Sequence, residues 1–142
     1  MEPMYQPSLG FLADTGTPKG LGVFASRNIL AGETVEVAPV IQIEGGYDSL
    51  PTELQSRVFH WERLASRAGV YALALGYSSM YNHDNPANVR YAAEADGKAI
   101  RFTAVIDISA REELTINYND TGGEPTSEDD NWFEQFGITP YA

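Results

Sequence analysis

Apolar and polar residues alternate along several short stretches of this chain, a pattern typical of β-strands with one buried face. The first stretch begins at Leu21 and reads LGVFASRNI. The second reads ETVEVAPVIQIE and carries apolar residues at Val35, Val37, Val40, Ile41 and Ile43. Proline cannot donate to a strand ladder, so we expect this second stretch to break at Pro39. Ala31-Gly32-Glu33 predicts the turn between the two stretches.

Residues 48–61 show a different, helical spacing of apolar positions. Pro51 suits the first turn of a helix, and apolar side chains recur at Leu50, Leu54, Val58 and Trp61. The segment 69–81 (GVYALALGYSSMY) follows and is apolar with many small residues. It predicts a buried strand or loop after one helix.

A β-hairpin is the clearest local signal in the second half of the chain. VRYAAEA and KAIRFTAVI flank Asp96-Gly97, and this dipeptide favours a type I′ turn. DISAREELTINY then predicts another turn and strand. Residues 28–35 also resemble residues 107–114 in their order of residue types. Two copies are too few for a solenoid, so we expect two similar hairpins within one β-rich fold.

The two ends of the chain contrast with this middle part. Residues 1–16 are predicted as an irregular lead-in, residues 17–120 as one domain, and residues 121–142 as an acidic loop with an aromatic tail. Residues 119–130 are polar and contain Gly and Pro, which predicts a mobile loop. The aromatic residues that follow include Trp132 and Phe133, and they either pack on the body or act as a lid.

Composition narrows the class of protein. The 142 residues suit one domain, and the absence of cysteine excludes disulfides, iron–sulfur clusters and thiolate zinc sites. No signal peptide or membrane span is evident, so we expect a soluble, cytoplasmic protein. The net charge of −11 disfavours direct binding of nucleic acid. It favours basic partners, with simple solubility as the alternative explanation.

Three short segments carry residues suited to chemistry. Residues 19–24 (KGLGVF) contain two glycines that allow a ligand to approach the main chain, although such a pair is usually only a turn. Residues 81–88 (YNHDNPAN) are rich in hydrogen-bonding side chains, which equally suit a loop tied down locally. Residues 112–118 (EELTINY) alternate like a strand, so Glu112 and Glu113 point to opposite faces and cannot share a site. With His60 and His83 as the two histidines, metal binding is not favoured.

Taken in this order, the three segments resemble the signature of SET-domain protein-lysine methyltransferases, over about residues 17–120. The resemblance is greatest to the short bacterial and viral members, which lack the cysteine-rich zinc segments of larger relatives. It implies a mainly β fold of the β-clip type, with several small sheets around a knot-like crossing and few short helices. The Asn-His segment and the final tyrosine strand would form that crossing.

The resemblance also implies an activity and a set of site residues. The expected reaction transfers a methyl group from S-adenosylmethionine to a lysine of a basic protein or peptide, leaving S-adenosylhomocysteine. Neither nucleic acid nor a membrane is an expected partner, and a homodimer is left open. Tyr118 would lie at the methyl-transfer point, with Tyr77 and Tyr91 along the lysine channel. The cofactor would contact Lys19, Gly20, Leu21, Gly22, Asn82, His83 and Trp132.

The chain departs from the family pattern at several positions. Asp84-Asn85 stand where the family often has Ser-Cys, and Pro86 comes one position early. Arg57 occupies the place of a channel tyrosine, unless Tyr47 or Tyr71 substitutes for it or the register differs. Ile116 stands where other members limit the number of methyl groups, which leaves the product state open. The alternative to an active enzyme is therefore a SET-fold binding module with little turnover.

Overall fold

Short strands dominate the computed structural model, which describes residues 5–119 and 122–127. Within this part of the chain, the strands are β1 (Gly10–Asp14), β2 (Leu21–Ala25), β3 (Thr34–Glu44), β4 (Phe59–His60), β5 (Val70–Ala74), β6 (Asn82–His83), β7 (Val89–Ala93), β8 (Ala99–Ala104) and β9 (Glu113–Ile116). The helices are α1 (Thr52–Gln55) and α2 (Trp61–Ala65), with 3₁₀ turns at Tyr47–Ser49 and Ser78–Met80. The predicted mainly β fold with few short helices is confirmed.

The strands form two small sheets around a shared core. One sheet has the order β1-β2-β9-β6, and the other has the order β4-β5-β3-β8-β7. Aromatic rings fill the space beside the second sheet, where Phe59 contacts Tyr91 with 5.0 Å between ring centroids and Tyr81 contacts Phe102 at the same distance. Trp61 is fully buried in this core. In the described residues, no helix has the length and apolar character needed to cross a membrane.

The long strand β3 runs through Pro39 without the predicted break. Pro39 pairs with Ala99 of β8, and from Val40 onward the strand pairs with β5 instead. The proline thus lies where β3 changes partners, and its carbonyl accepts a hydrogen bond from Leu75 at 3.0 Å. Proline is tolerated there because its missing amide hydrogen falls at the edge of one ladder and before the next.

The hairpin of β7 and β8 is confirmed, but its turn is not type I′. Ala93 pairs with Ile100, and Gly97 donates to the carbonyl of Glu94 at 2.9 Å. Gly97 has a φ of 71°, whereas Asp96 is not among the residues with positive φ. A type I′ turn needs positive φ at both central residues. The longer loop places the glycine alone in the left-handed region.

The resemblance between residues 28–35 and 107–114 corresponds to an approximate two-fold symmetry. Ile29 and Ile108 exchange both main-chain hydrogen bonds at 2.8 Å. The side chain of Asn28 accepts from the amide of Ala110, and Asp107 accepts from the matching amide of Ala31, both at 2.9 Å. The two segments are therefore equivalent turns that bind each other, and not the two hairpins expected, because β2 pairs with β9 and β3 pairs with β8.

The single helix predicted over residues 48–61 is wrong. The segment divides into a 3₁₀ turn, the four-residue α1 and the strand β4, and a second helix begins at Trp61. Phe59 is buried and His60 is exposed, which is the alternation of a strand. Pairing of Phe59 with Ala72 of β5 and packing of its ring on Tyr91 override the weak helical spacing.

Both predicted irregular ends contain ordered structure. Within the lead-in, β1 pairs antiparallel with β2 from Gly10 to Asp14. Within the predicted mobile loop, residues 122–127 return to the body, because Tyr91 donates to Gly123 at 3.1 Å and Ala87 donates to Pro125 at 2.8 Å. Polar composition predicted a loop in solvent, whereas the polar groups of this segment bond to the body, both through the main chain and through Asn85 and Asn117. The predicted domain limits at residues 16 and 120 stay a prediction.

Candidate active site

The centre of the candidate site is the contact between β6 and β9. These strands pair in parallel, with Asn82 opposite Thr115 and His83 opposite Ile116. The amide of Asp84 continues the pairing by donating to Ile116 at 3.1 Å. Parallel pairing brings together two segments that are far apart in sequence. The Asn-His segment therefore lies beside the strand that leads to Tyr118.

Tyr118 is held at this contact by three interactions. Its hydroxyl donates to the main-chain carbonyl of Tyr81 at 2.5 Å, and its amide donates to Nδ1 of His83 at 3.0 Å. The rings of His83 and Tyr118 also lie 5.4 Å apart between centroids. His83, predicted to contact the cofactor through its main chain, thus also positions Tyr118 through its imidazole.

The environment keeps the Tyr118 hydroxyl protonated. Burial raises the pKa of Tyr118 well above its usual range, while the positive charge of Arg57 opposes this shift and the negative charge of Glu113 adds to it. A phenol with a raised pKa is neutral near pH 7. Tyr118 can therefore donate or accept hydrogen bonds at the site but does not act there as a tyrosinate base.

The two-glycine segment forms the end of the β1–β2 hairpin. Gly20 has a φ of 76°, and its carbonyl accepts hydrogen bonds from the amide and hydroxyl of Thr15, both at 2.8 Å. At Gly22, an added Cβ would lie 2.6 Å from Glu113 Oε2 and 3.0 Å from Asn82 Nδ2. Glycine therefore lets the side chains of Glu113, Asn82 and Thr15 approach its main chain closely, and a larger residue would have to push them aside.

Asn82 joins three strands at the predicted cofactor position. Its Nδ2 donates to the carbonyl of Leu21 at 3.0 Å and to Oε2 of Glu113 at 2.7 Å. Within the described part of the chain, no hydrogen bond to its Oδ1 is found. The amide oxygen of Asn82 and the carboxylate of Glu113 are both acceptors, and acceptors suit an ammonium group. The methionine part of S-adenosylmethionine carries such a group, so these residues fit the predicted cofactor.

Glu113 is a site residue that the sequence analysis did not assign. The alternation of the strand predicted only that Glu113 and Glu112 are separate, and the structure confirms this. Glu112 accepts from the amide of Ser109 at 3.3 Å, whereas Glu113 faces Asn82. The strand alternation of residues 112–118 places Glu113 on one face with Thr115 and Asn117. Strand alternation thus indicated which residues share a face with Glu113, but only the tertiary structure shows that Asn82 lies against that face.

Asn88 supports the same region in the manner predicted for a tied loop. Its Nδ2 donates to the carbonyl of Glu113 at 2.8 Å, and its Oδ1 accepts from the amide of Thr115 at 2.8 Å. β6 pairs with only two residues of β9, and these two bonds from Asn88 satisfy main-chain groups of β9 beyond that short pairing. Asn88 thus stabilises the strand that carries the site.

The remaining predicted residues lie at varied distances from this centre. Tyr77 precedes the 3₁₀ turn at Ser78–Met80 and is half-buried. Tyr91 lies on β7, where its ring packs against Phe59 and Phe102 in the aromatic core. Lys19 lies in the β1–β2 loop, and Trp132 lies outside the described residues. The structure brings together the glycine segment, Asn82, His83 and Tyr118, and the channel roles of Tyr77 and Tyr91 stay predictions.

Comparison with known proteins agrees with this arrangement. A family model described as SET domain matches residues 20–119. A Schizosaccharomyces pombe protein named histone-lysine N-methyltransferase, H3 lysine-37 specific, is 33% identical over 105 residues, which are 72% of this chain and 68% of that protein. The fold is that of the protein-lysine methyltransferase class that uses S-adenosylmethionine. The chain belongs to the SET-domain family.

Solved structures share the fold at lower identity. A Plasmodium falciparum protein described as a candidate histone methyltransferase has a TM-score of 0.63 and 23% identity, covering 80% of this chain and 95% of that one. The structure of ctPRC2 in an autoinhibited conformation bound to S-adenosylmethionine has a TM-score of 0.63 and 24% identity, covering 82% of this chain and 16% of that one. Both likenesses show the common fold.

Proposed function

We propose that this chain methylates a lysine side chain of a basic protein, with S-adenosylmethionine as the methyl donor. The observation that carries this proposal is the placement of the Tyr118 hydroxyl at the β6–β9 contact. Its hydrogen-bond acceptor, Tyr81, directly precedes Asn82, which with Glu113 offers acceptors for the cofactor's ammonium group and binds the glycine segment at Leu21. The bound cofactor would supply an electrophilic methyl group on a sulfonium. The residues of the chain would supply orientation and exclusion of water.

The proposed mechanism requires a neutral lysine amine. The reference pKa of lysine is about 10.4, so removing the proton near pH 7 costs roughly 4–5 kcal/mol. A desolvated channel beside a cationic sulfonium lowers that pKa without a dedicated base. The Tyr118 hydroxyl donates its proton to the carbonyl of Tyr81, so its oxygen can accept a hydrogen bond from the amine. In-line transfer then depends mainly on how well the amine is positioned.

A basic, histone-like tail is the proposed substrate class. The net charge of −11 attracts cationic peptides and raises their rate of encounter. The relative from Schizosaccharomyces pombe is named for a lysine of histone H3, which supports the same class. Cytoplasmic location and a homodimer remain proposals of the sequence analysis.

The test combines cofactor binding with turnover. We expect calorimetry to detect S-adenosylmethionine binding, and mass spectrometry to detect methylated lysines when core histones and their tail peptides are supplied with the protein. Asn82→Ala should weaken cofactor binding, with Asn28→Ala as a matched control, because Asn28 is exposed and accepts from the amide of Ala110 away from this contact. Cofactor binding with no transfer to any supplied protein would contradict the proposed enzyme.

The second candidate function is a SET-fold binding module, and Arg57 is the observation that favours it. The charge of Arg57 acts on the pKa of Tyr118, so a cation lies within electrostatic reach of the predicted channel. A positive charge there opposes the entry of a protonated lysine. Arg57→Tyr should raise turnover if the arginine limits activity. Cofactor binding without turnover in both proteins would support the binding module.

A further inference from the structure

A buried carboxylate lies behind the candidate site. Glu36 of β3 is 1% exposed, although it is charged in water near pH 7. Tyr81 donates its hydroxyl to Oε1 at 2.7 Å, and the amide of Tyr77 donates to Oε2 at 3.0 Å. A second hydroxyl, from Ser8, lies 2.9 Å from the Tyr81 hydroxyl. Both carboxylate oxygens therefore bind the segment that leads from the apolar strand β5 into β6.

Local backbone structure is arranged around this carboxylate. The pairing of β3 with β8 shifts register between Thr34 and Glu36, which marks a β-bulge at Val35. Bulges redirect side chains, and this one accompanies a run of four buried residues from Val35 to Ala38. At Gly76, which has a φ of 66°, an added Cβ would lie 2.2 Å from Glu36 Oε2. The carboxylate thus occupies the space that a larger residue would fill.

The cost of burial indicates that these hydrogen bonds matter. Burial raises the pKa of Glu36, and the hydrogen bonds from the Tyr81 hydroxyl and the Tyr77 amide partly offset that shift. A buried carboxyl group is destabilising unless its oxygens have hydrogen-bond partners. Glu36 therefore restrains the Tyr77 amide and the Tyr81 hydroxyl, because movement of either group would leave a buried oxygen of Glu36 without a hydrogen bond.

Tyr81 connects Glu36 with the candidate catalytic hydroxyl. Its side chain binds Glu36, and its main-chain carbonyl accepts the hydrogen bond from Tyr118. Tyr81 is also buried, with 1% of its surface exposed, and its ring packs on Phe102. One residue thus carries both the contact with Glu36 and the contact that orients Tyr118. The next residue, Asn82, begins β6 at the cofactor position.

We propose that Glu36 is a positioning residue, which acts through Tyr81 to orient the Tyr118 hydroxyl and through the Tyr77 amide to hold the adjoining turn. The proposal rests on the proposed methyltransferase function for its effect on rate. Glu36 touches neither the lysine nor the cofactor in this role. It sets the geometry of residues that do.

A double-mutant cycle of Glu36→Gln and Tyr118→Phe tests this coupling. In the otherwise unchanged protein, Glu36→Gln should lower the single-turnover rate of methyl transfer by about 10- to 100-fold, because small misplacements are costly in catalysis. In the Tyr118→Phe protein, the same substitution should lower the rate by less than about 3-fold, because the hydroxyl that it orients is absent. Glu44→Gln is the matched control, since Glu44 ends the same strand and is exposed. That control should leave the rate unchanged.

A second readout is independent of turnover. In the cofactor-free protein with ¹³C-labelled tyrosine rings, Glu36→Gln should shift the Tyr118 and Tyr81 resonances, and Glu44→Gln should not. If Glu36→Gln does not fold, Tyr81→Phe removes the same hydrogen bond and retains the carbonyl, so it should show the same coupling to Tyr118→Phe.

Two results would overturn the proposal. Equal rate losses from Glu36→Gln in both backgrounds mean that Glu36 acts independently of Tyr118, as a purely structural residue does. An unmoved Tyr118 resonance means that the hydroxyl does not depend on Glu36. If the natural sequence transfers no methyl group to any supplied protein, the proposed function fails, while the resonances still decide whether Glu36 positions Tyr118.

Discussion

At the scale of single residues, Tyr118 is both held firmly by its neighbours and suited to the proposed chemistry. Its amide is fixed by His83 and its hydroxyl by Tyr81, so the ring has little freedom to rotate away. Its raised pKa keeps the hydroxyl neutral. A neutral, oriented phenol suits a reaction in which charge moves from a sulfonium to an amine, because it adds no net charge to the site.

Tyr118→Phe is therefore expected to reduce activity far more than stability. Loss of one positioned polar group typically lowers a rate by about 100- to 1000-fold. The ring is retained, and losing the hydrogen bond to Tyr81 should cost about 1 kcal/mol in the free energy of unfolding. Single-turnover methyl transfer, thermal unfolding and cofactor calorimetry on the same variant measure the three effects. A rate near that of the natural sequence would remove Tyr118 from the catalytic role.

A second prediction concerns backbone strain at the two symmetric turns. Gly32 and Arg111 occupy equivalent positions, with φ values of 87° and 75°. Only glycine adopts this conformation without steric cost. We expect Arg111→Gly to stabilise the protein by about 0.5–1 kcal/mol and Gly32→Ala to destabilise it by a similar amount. Denaturant unfolding measures both, and a destabilised Arg111→Gly would indicate that its side chain makes a stabilising contact.

At the scale of elements, β9 derives its position from neighbours on both edges. It pairs antiparallel with β2 and parallel with β6, and Asn88 completes its hydrogen bonding beyond β6. Residues 122–127 then add a further layer, in which Asn117 donates to Ser127 Oγ at 3.0 Å and Asn85 donates to the Ser127 carbonyl at 3.0 Å. The site strand is therefore enclosed by segments from most of the chain.

Two truncations separate the docked segment from the aromatic tail. Deletion of residues 128–142 should weaken cofactor binding, if Trp132 covers the cofactor as the family resemblance implies. Deletion of residues 121–142 should also lower the melting temperature, because Ala87 and Tyr91 lose their main-chain acceptors. Differential scanning calorimetry and cofactor titration distinguish the two. Unchanged affinity in the shorter deletion would assign Trp132 no part in cofactor binding.

At the scale of the whole molecule, charge is the dominant property. Twenty acidic side chains outnumber nine basic ones, and the resulting field extends about 8 Å at physiological ionic strength. Such a field accelerates encounter with cationic partners but contributes little to the fold. We therefore expect the acidic charge to affect the rate at which substrate associates with the protein.

Turnover on a basic peptide should accordingly depend on salt. Raising the ionic strength from about 50 mM to about 300 mM should lower kcat/KM roughly 10-fold, while kcat at saturating peptide changes little. The matched control is a peptide with the same target lysine and its other basic residues replaced by serine. Its kcat/KM should be lower at low salt and nearly independent of ionic strength. Equal salt dependence for both peptides would contradict electrostatic steering.

Local patterns correctly predicted those elements whose contacts are mainly local. The β7–β8 hairpin follows from alternation on both sides of Asp96-Gly97. The echo between residues 28–35 and 107–114 corresponds to two equivalent turns and not to the expected hairpins, because the strands that flank each turn pair with distant strands. The helix over residues 48–61 was wrong because Phe59 and Trp61 are drawn into a core built from distant strands. The docking of residues 122–127 was also missed, because the same polar residues suit a segment that bonds to water and one that bonds to Asn85 and Asn117 of the body.

The sequence by itself was enough to predict the family and three of its segments: the glycine segment, the Asn-His segment and the strand that ends at the final tyrosine. These segments are recognisable because their residue types follow one another in the order typical of the family. Only the tertiary structure decided that Glu113 faces Asn82 and that Glu36 reaches Tyr118 through Tyr81. Glu36 is separated from Tyr81 by 45 positions, and Tyr118 from Tyr81 by 37. Contacts at such separations depend on strand order and on the bulge in β3, which no local pattern of hydrophobic and polar residues specifies.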